Sequence, residues 1–476
     1  MPLLILLTHS QKKSSASVSL CVAELGLEYG TENIGGLLTA GTVANHRRRS
    51  DETLLTGFLA TYIRATSKPQ LTRVDVNMKN GMDKPIRYVA SACIGALALL
   101  AAQAFAQSPT ADQATRMYNR IAGIPPTAAE LLQMTQAPDA VTAALIATQD
   151  PAFYNNTIRN LATPWTNRDQ TVFAPLNDYT ATVVGMVRDD VPFNTLLSAD
   201  LVYIGDSASG APAYSPNNND MYTTLDENNV DLKAHLVSST QSAITGIPAA
   251  ATAGVMTTRG AASAFFVNGT NRAMFRFTMM NHLCSDLQTV MDITRPPDRI
   301  RQDVTRSPGG VSTLFLTNCI GCHSGMDPMA QAFAYYNFSY PASEVGATAW
   351  PVGQIVYTAG QVQPKYHINN TNFPQGFSTP DDSWNNRWRT GPNQILGWSA
   401  SLPGSGNGAK SLGQELESSA AFANCQVTRV FKAVCFRAPN TQADLTQINS
   451  MISSFQSHNY KLRQVFAEGA AYCKGN

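Results

Sequence analysis

From Ala111 the apolar residues recur at helical spacing through Met117, Tyr118 and Ile121, and Gly123 with Pro125-Pro126 ends the run. Thr127-Ala128-Ala129-Glu130 is a capping-box pattern ahead of Leu131, Leu132 and Met134, so a second helix starts there. Short helical segments continue towards Asp200, with a turn at Asp189-Asp190-Val191-Pro192-Phe193. Residues 205–250 are rich in Gly, Ser, Asn and Pro, and Ser215-Pro216-Asn217-Asn218-Asn219-Asp220 reads as surface loop. After Asn268-Gly269-Thr270, a run holding Met274, Phe277, Met280, Leu283 and Cys284 is apolar on one helical face. Periodicity fades over 341–410, where Gly, Pro and Asn are frequent and four of the five tryptophans fall: Trp350, Trp384, Trp388 and Trp398. An irregular, partly β segment tied down by aromatic packing is expected there, with an aromatic binding surface as the sharper alternative. Helical spacing returns from Leu412 to Phe436, after a cap at Asn440 or Thr441 (Leu445, Ile448, Met451, Ile452, Phe455), and again at Leu462, Val465 and Phe466. The fold class that follows is mainly α.

The first 106 residues are different in kind. Met78-Lys79-Asn80-Gly81-Met82-Asp83-Lys84-Pro85-Ile86-Arg87 is a weakly basic lead into an apolar run from Tyr88 to Ala102, and Ala104-Phe105-Ala106 supplies small-x-small before Gln107. That is the pattern of a secretory signal over 78–106, starting at Met78 or Met82. Residues 1–77 are Ser/Thr/Arg-rich and are expected to be a start-site artefact or a disordered extension. The alternative is a real extension followed by an uncleaved membrane anchor. The formal charge of the chain is +1; 11 basic and 7 acidic residues fall before Gln107, which leaves 23 against 26 beyond it. Such a balance offers no basic footprint for nucleic acid.

The chemistry concentrates in Thr317-Asn318-Cys319-Ile320-Gly321-Cys322-His323-Ser324-Gly325-Met326-Asp327-Pro328. Cys-x-x-Cys-His is the attachment pattern of a c-type haem: each thiol adds to a vinyl group of the porphyrin, and the histidine becomes proximal iron ligand. Cys319, Cys322 and His323 are thus the expected sites for one covalent haem c per chain. A redox dithiol or half a zinc site are the blander readings, but no second Cys-x-x-Cys or His-x-x-x-His completes a zinc set. Export and haem attachment support one another, because the motif resembles the substrate of a maturation route that works outside the cytoplasmic membrane. In the portion beyond the expected signal, Cys284, Cys425, Cys435 and Cys473 remain, enough for two disulfides in three connectivities.

Cys319 to Phe338, with Cys-x-x-Cys-His, Met-Asp-Pro and Ala332-Phe333-Ala334-Tyr335-Tyr336-Asn337-Phe338, resembles the planctomycete-type cytochrome c-like domains. Gly254-Val255-Met256-Thr257 and Arg272 through Leu283-Cys284 look like the upstream part of that domain, and Ser418 to Cys425 through Tyr460-Lys461-Leu462 is similar to the helical domain that follows it. Tyr118 through Pro126 is similar to an N-terminal element of the same proteins. The resemblance implies a helical c-type cytochrome-like haem domain with flanking helical domains and a loop-rich Trp-containing segment. The segments are 107–250, N-terminal helical; 251–340, haem-binding; 341–410, loop-rich; and 411–476, C-terminal helical. Departures are Met326 for the family's Ile, Tyr336 near its Glu, and about two residues inserted after Pro328. Cys435 and Cys473 stand where the family has no cysteine, which pairs them with each other and leaves Cys284 with Cys425.

A six-coordinate electron carrier needs a further iron ligand. Met326, three residues beyond His323 on one helix, lies on the proximal side, and His367 in a loop-rich region is the leading candidate for a distal ligand, ahead of Met329, His282, His458 and Met451. A helix holding Met329, Phe333 and Tyr336 is expected to turn an aromatic side to the porphyrin. The expected function is an exported monohaem cytochrome, periplasmic or secreted, with a redox partner protein and with membrane or outer-membrane association open. A peroxidase- or oxygenase-like haem enzyme, and a secreted binding module with accessory haem, are the alternatives.

Overall fold

The computed structural model describes residues 4–12, 15–23, 107–267, 269–301, 313, 315–344, 352–367 and 376–475. The chain divides into two compact units, Met1–Ala104 and Phe105–Asn476. In the first, β1 (Leu4–Lys12) and β2 (Ser15–Ala23) form an antiparallel hairpin with Leu7 opposite Leu20. The expected signal segment lies outside the described residues.

The second unit is mainly helical. α1 (Ala111–Ala122) begins at Thr110 in a capping box with Gln113 and ends at Gly123, whose φ of 77° suits the left-handed cap that glycine adopts without Cβ strain. α2 (Ala128–Gln136) starts from the Thr127/Glu130 capping box, as the sequence pattern requires. α3 (Ala140–Ala147) is followed by short turns and then by α4 (Asp178–Arg188), almost wholly buried. Between 200 and 250 there is more order than the polar composition indicates. β3 (Val202–Gly205) pairs antiparallel with β4 (Leu236–Ser239), and between them α5 (Asp220–Glu227) buries Met221, Tyr222 and Leu225.

α6 (Arg259–Phe265) and α7 (Arg272–His282) lead to α8 (Ile320–Ala330), which packs on α7. Two further antiparallel pairs follow, β5 (Tyr336–Ser339) with β6 (Gln354–Tyr357) and β7 (Ser383–Asn385) with β8 (Ser405–Asn407). The C-terminal helices are α9 (Gly408–Glu417), α10 (Ala420–Cys435), α11 (Gln442–Ser457) and α12 (Leu462–Tyr472). The single helix expected from Leu412 to Phe436 is two, because Ser419 leaves helical geometry and its side chain caps the Phe422 N–H.

One hydrophobic core runs from Ala114 to Ala471, so the segments 107–250, 251–340, 341–410 and 411–476 all contribute to it. α12 lies against α3 and α10, which brings the two ends of the unit together; Gln113 donates to the Gly475 carbonyl at 3.0 Å. Cys284–Cys425 and Cys435–Cys473 are disulfides, with Cα separations of 5.3 and 5.5 Å. Among the described residues no helix is long and apolar enough to cross a membrane.

Candidate functional site

α8 carries the site. A π-helical turn, Phe315–Cys319, feeds into it, and Cys319 is its N-cap. Cys322 and His323 follow at i+3 and i+4, so the two thiols and the imidazole share one side of the helix start. Both thiols are free and partly exposed, whereas Cys284, Cys425, Cys435 and Cys473 are all oxidised.

His323 is 19% exposed at its side chain, and its Nδ1 lies 3.2 Å from both carboxylate oxygens of Asp327, one helical turn on. Its Nε2 makes no hydrogen bond among the described residues. Asp327 has no side-chain exposure. Arg272, at the start of α7, grips it in a fork, Nε to Oδ1 at 2.6 Å and Nη2 to Oδ2 at 2.9 Å. Arg301, itself buried, places Nη2 at 3.6 Å from Oδ1 and Nη1 at 3.4 Å from the Asp327 carbonyl. Burial opposes the charged carboxylate, but Arg272, Arg301 and His323 outweigh it and hold the Asp327 carboxyl well below its usual range.

The segment after α7 flanks the motif. The Asp292 N–H donates to the Gly321 carbonyl at 3.0 Å, and Cys322 Sγ is 3.6 Å from the Leu287 carbonyl. A Cβ on Gly321 would stand 3.3 Å from Met291 Cβ and 3.4 Å from Ile293 Cγ2. Met291, Ile293 and, three residues before Cys319, Leu316 are exposed at 53%, 72% and 57%, so Gly321, between the two cysteines, is bordered by uncovered apolar side chains. Free thiols, an unclaimed imidazole nitrogen and bordering apolar side chains fit a covalently held haem. They fit a dithiol catalyst less well. Among the described residues no strand leads into the pair, and burial, then Asp286 and Cys319, push the Cys322 thiol up rather than down. No cluster of three or more His, Cys, Asp or Glu able to hold a bare metal ion occurs among the described residues.

The distal candidates separate clearly. His282 is a core histidine: its Nε2 is 2.6 Å from the Tyr179 hydroxyl, and its ring packs among Trp165, Tyr179 and Phe422. Met329 and Met451 are fully buried in the core, and His458 is an exposed residue bonded to Ser454. His367 follows Tyr366, whose ring lies 5.0 Å under the Arg301 guanidinium, and its Nδ1 is buried with no hydrogen-bond partner among the described residues. No hydrogen bond or ring contact joins His367 to His323.

The expected aromatic cover is absent from its helix. α8 stops at Ala330, and Phe333 and Tyr336 are spent in the core against Phe266, with Tyr336 in β5. Trp384 and Trp388 are buried as well, so their rings form no binding surface; Trp350 lies outside the described residues. Sequence reasoning named Asp327 only as part of a run and gave it no role. Its i+4 spacing from His323 was the available signal, whereas nothing in the pattern distinguishes Arg301 from a surface arginine.

No protein-family model, curated protein or solved structure matches this chain, and the likeness to planctomycete-type cytochrome c-like domains therefore rests on the residues quoted above.

Proposed function

We propose that the protein is an exported monohaem c-type cytochrome that carries electrons, with Cys319 and Cys322 as attachment thiols and His323 as proximal ligand. The observation that carries the reading is the pairing of two reduced thiols with an imidazole whose Nε2 is unclaimed, in a unit whose other four cysteines are disulfide-bonded. When bound, the haem supplies a one-electron ferric/ferrous couple. Cys319 and Cys322 would hold it against loss, and His323 would present Nε2 to its iron. The exposed apolar side chains of Met291, Ile293 and Leu316 would be available to contact it. His367 is proposed as sixth ligand, its orphaned Nδ1 being the support. Two disulfides suit an oxidising compartment, so a periplasmic or secreted location and a partner redox protein belong to the same proposal.

The test is production of the exported protein in a host competent for c-type maturation. Haem that stays with the polypeptide in denaturing gels and is lost from Cys319→Ala/Cys322→Ala is expected. Low-spin ferric EPR signals inert to peroxide support electron carriage; high-spin, peroxide-reactive iron would replace it with an enzyme. His367→Ala is expected to convert low-spin to high-spin iron, and an unaltered spectrum removes that residue from the iron.

A further inference from the structure

We infer that Asp327 is a positioning residue for His323: its carboxylate sets which imidazole nitrogen carries the proton, orients the ring, and draws the reduction potential of the centre down. The inference rests on the haem reading of Cys319, Cys322 and His323 and goes beyond it by assigning the group that tunes them.

The geometry is specific. Both carboxylate oxygens lie 3.2 Å from His323 Nδ1, and none of Asp327 is exposed. An ionised carboxylate can only accept, so the shared proton sits on Nδ1 and the lone pair of the neutral ring is left on Nε2, the nitrogen with no other partner. Hydrogen bonding of a ligating histidine to a carboxylate raises the basicity of the metal-facing nitrogen, which favours the ferric over the ferrous state.

Three further contacts keep the carboxylate from turning away. Arg272 holds both oxygens in a fork. The Arg301 backbone N–H points at Oδ2 at 3.4 Å, and its guanidinium is itself pinned by the Thr270 hydroxyl at 3.0 Å and by the ring of Tyr366. A buried carboxylate between two arginines would be sufficient as a structural ion pair. What that role leaves unexplained is the third partner, an imidazole four residues back on the same helix with its other nitrogen unclaimed. Arg272, Asp327 and Arg301 come from three separate stretches of chain, so the orientation of His323 is built by tertiary structure rather than by the motif.

The experiment uses haem-loaded, 15N-histidine-labelled protein and compares wild type with Asp327→Asn. In the reduced, diamagnetic wild type the His323 ring proton is expected on Nδ1, exchanging with solvent on the order of tenfold more slowly than in the variant. The midpoint potential of Asp327→Asn is expected to rise by on the order of tenfold in the reduction equilibrium, about 59 mV for one electron. Potential alone would also respond to a lost charge; the ring proton responds to the hydrogen bond. A variant with wild-type proton exchange overturns the inference. If Asp327→Asn does not accumulate, wild type decides by itself: an unprotonated Nδ1, or a ring proton exchanging as freely as that of exposed imidazole, overturns it. Protein that matures without covalent haem sinks the haem reading and this one with it, whereas haem-loaded protein failing the proton test sinks this one alone.

Discussion

Asp327 meets Arg272, Arg301 and His323 with no water-exposed surface of its own, and removing one partner of such a group leaves buried charge uncompensated. Asp327→Ala is therefore expected to cost about 3–5 kcal/mol in urea denaturation, several times the loss from an exposed carboxylate. His282 makes a separate claim. Burial, and then the Arg429 guanidinium, push it down to about 3 from an ordinary 6.5. A base whose folded pKa lies below its unfolded one contributes stability that is complete above about 6.5 and is lost as pH falls from there towards 3. Thermal unfolding followed across that window should show the loss in wild type and a flatter profile in His282→Gln; equal slopes would remove His282 as the cause. The same burial is why His282, legible in sequence only as a histidine beside an apolar face, is core rather than ligand.

At the scale of elements, α8 shows how a motif and its packing constrain each other. Gly325 sits one turn past Cys322, and a Cβ there would come within 2.0 Å of Trp388 Nε1 and 2.2 Å of its Cε2. The Trp388 ring thus lies directly on α8 and needs a residue without a side chain beneath it. Gly325→Ala must displace a buried indole, an overpacking change expected to cost about 1–3 kcal/mol and to alter tryptophan emission. Unchanged stability and emission would contradict that contact. Helix starts were legible from local chemistry, since Thr127 with Glu130 and Thr441 with Asp444 satisfy the first free N–H groups within a few residues. The break at Ser419 and the end of α8 before Phe333 were not. Apolar residues at those places fit a helix equally well, and only the neighbouring elements fill the space.

Over the whole unit, the two disulfides fasten α10 in its second turn and at its C-terminal end. Cys425 is tied to Cys284 just beyond α7, and Cys435 to Cys473 at the end of α12. Breaking either by paired Cys→Ala substitution is expected to cost about 2–4 kcal/mol by thermal denaturation. Mild reductant should lower the melting temperature of wild type, and, if haem is attached as proposed, should not release it, because thioethers do not exchange with thiols; pigment lost with the disulfides would count against covalent attachment. By itself the sequence determined what depends on near neighbours in the chain: helical periodicity, caps, and the short spacing that puts Cys319, Cys322 and His323 at one helix start. The resemblance supplied the cysteine pairing, which the structure bears out. Tertiary structure alone decided the rest. Arg272 and Arg301 converge on Asp327 from 55 and 26 residues away, His282 and the tryptophans are enclosed, and Met291 with Ile293 borders Gly321. Charge burial and ring packing are energies of the space between elements, and residue spacing along the chain does not encode which elements meet.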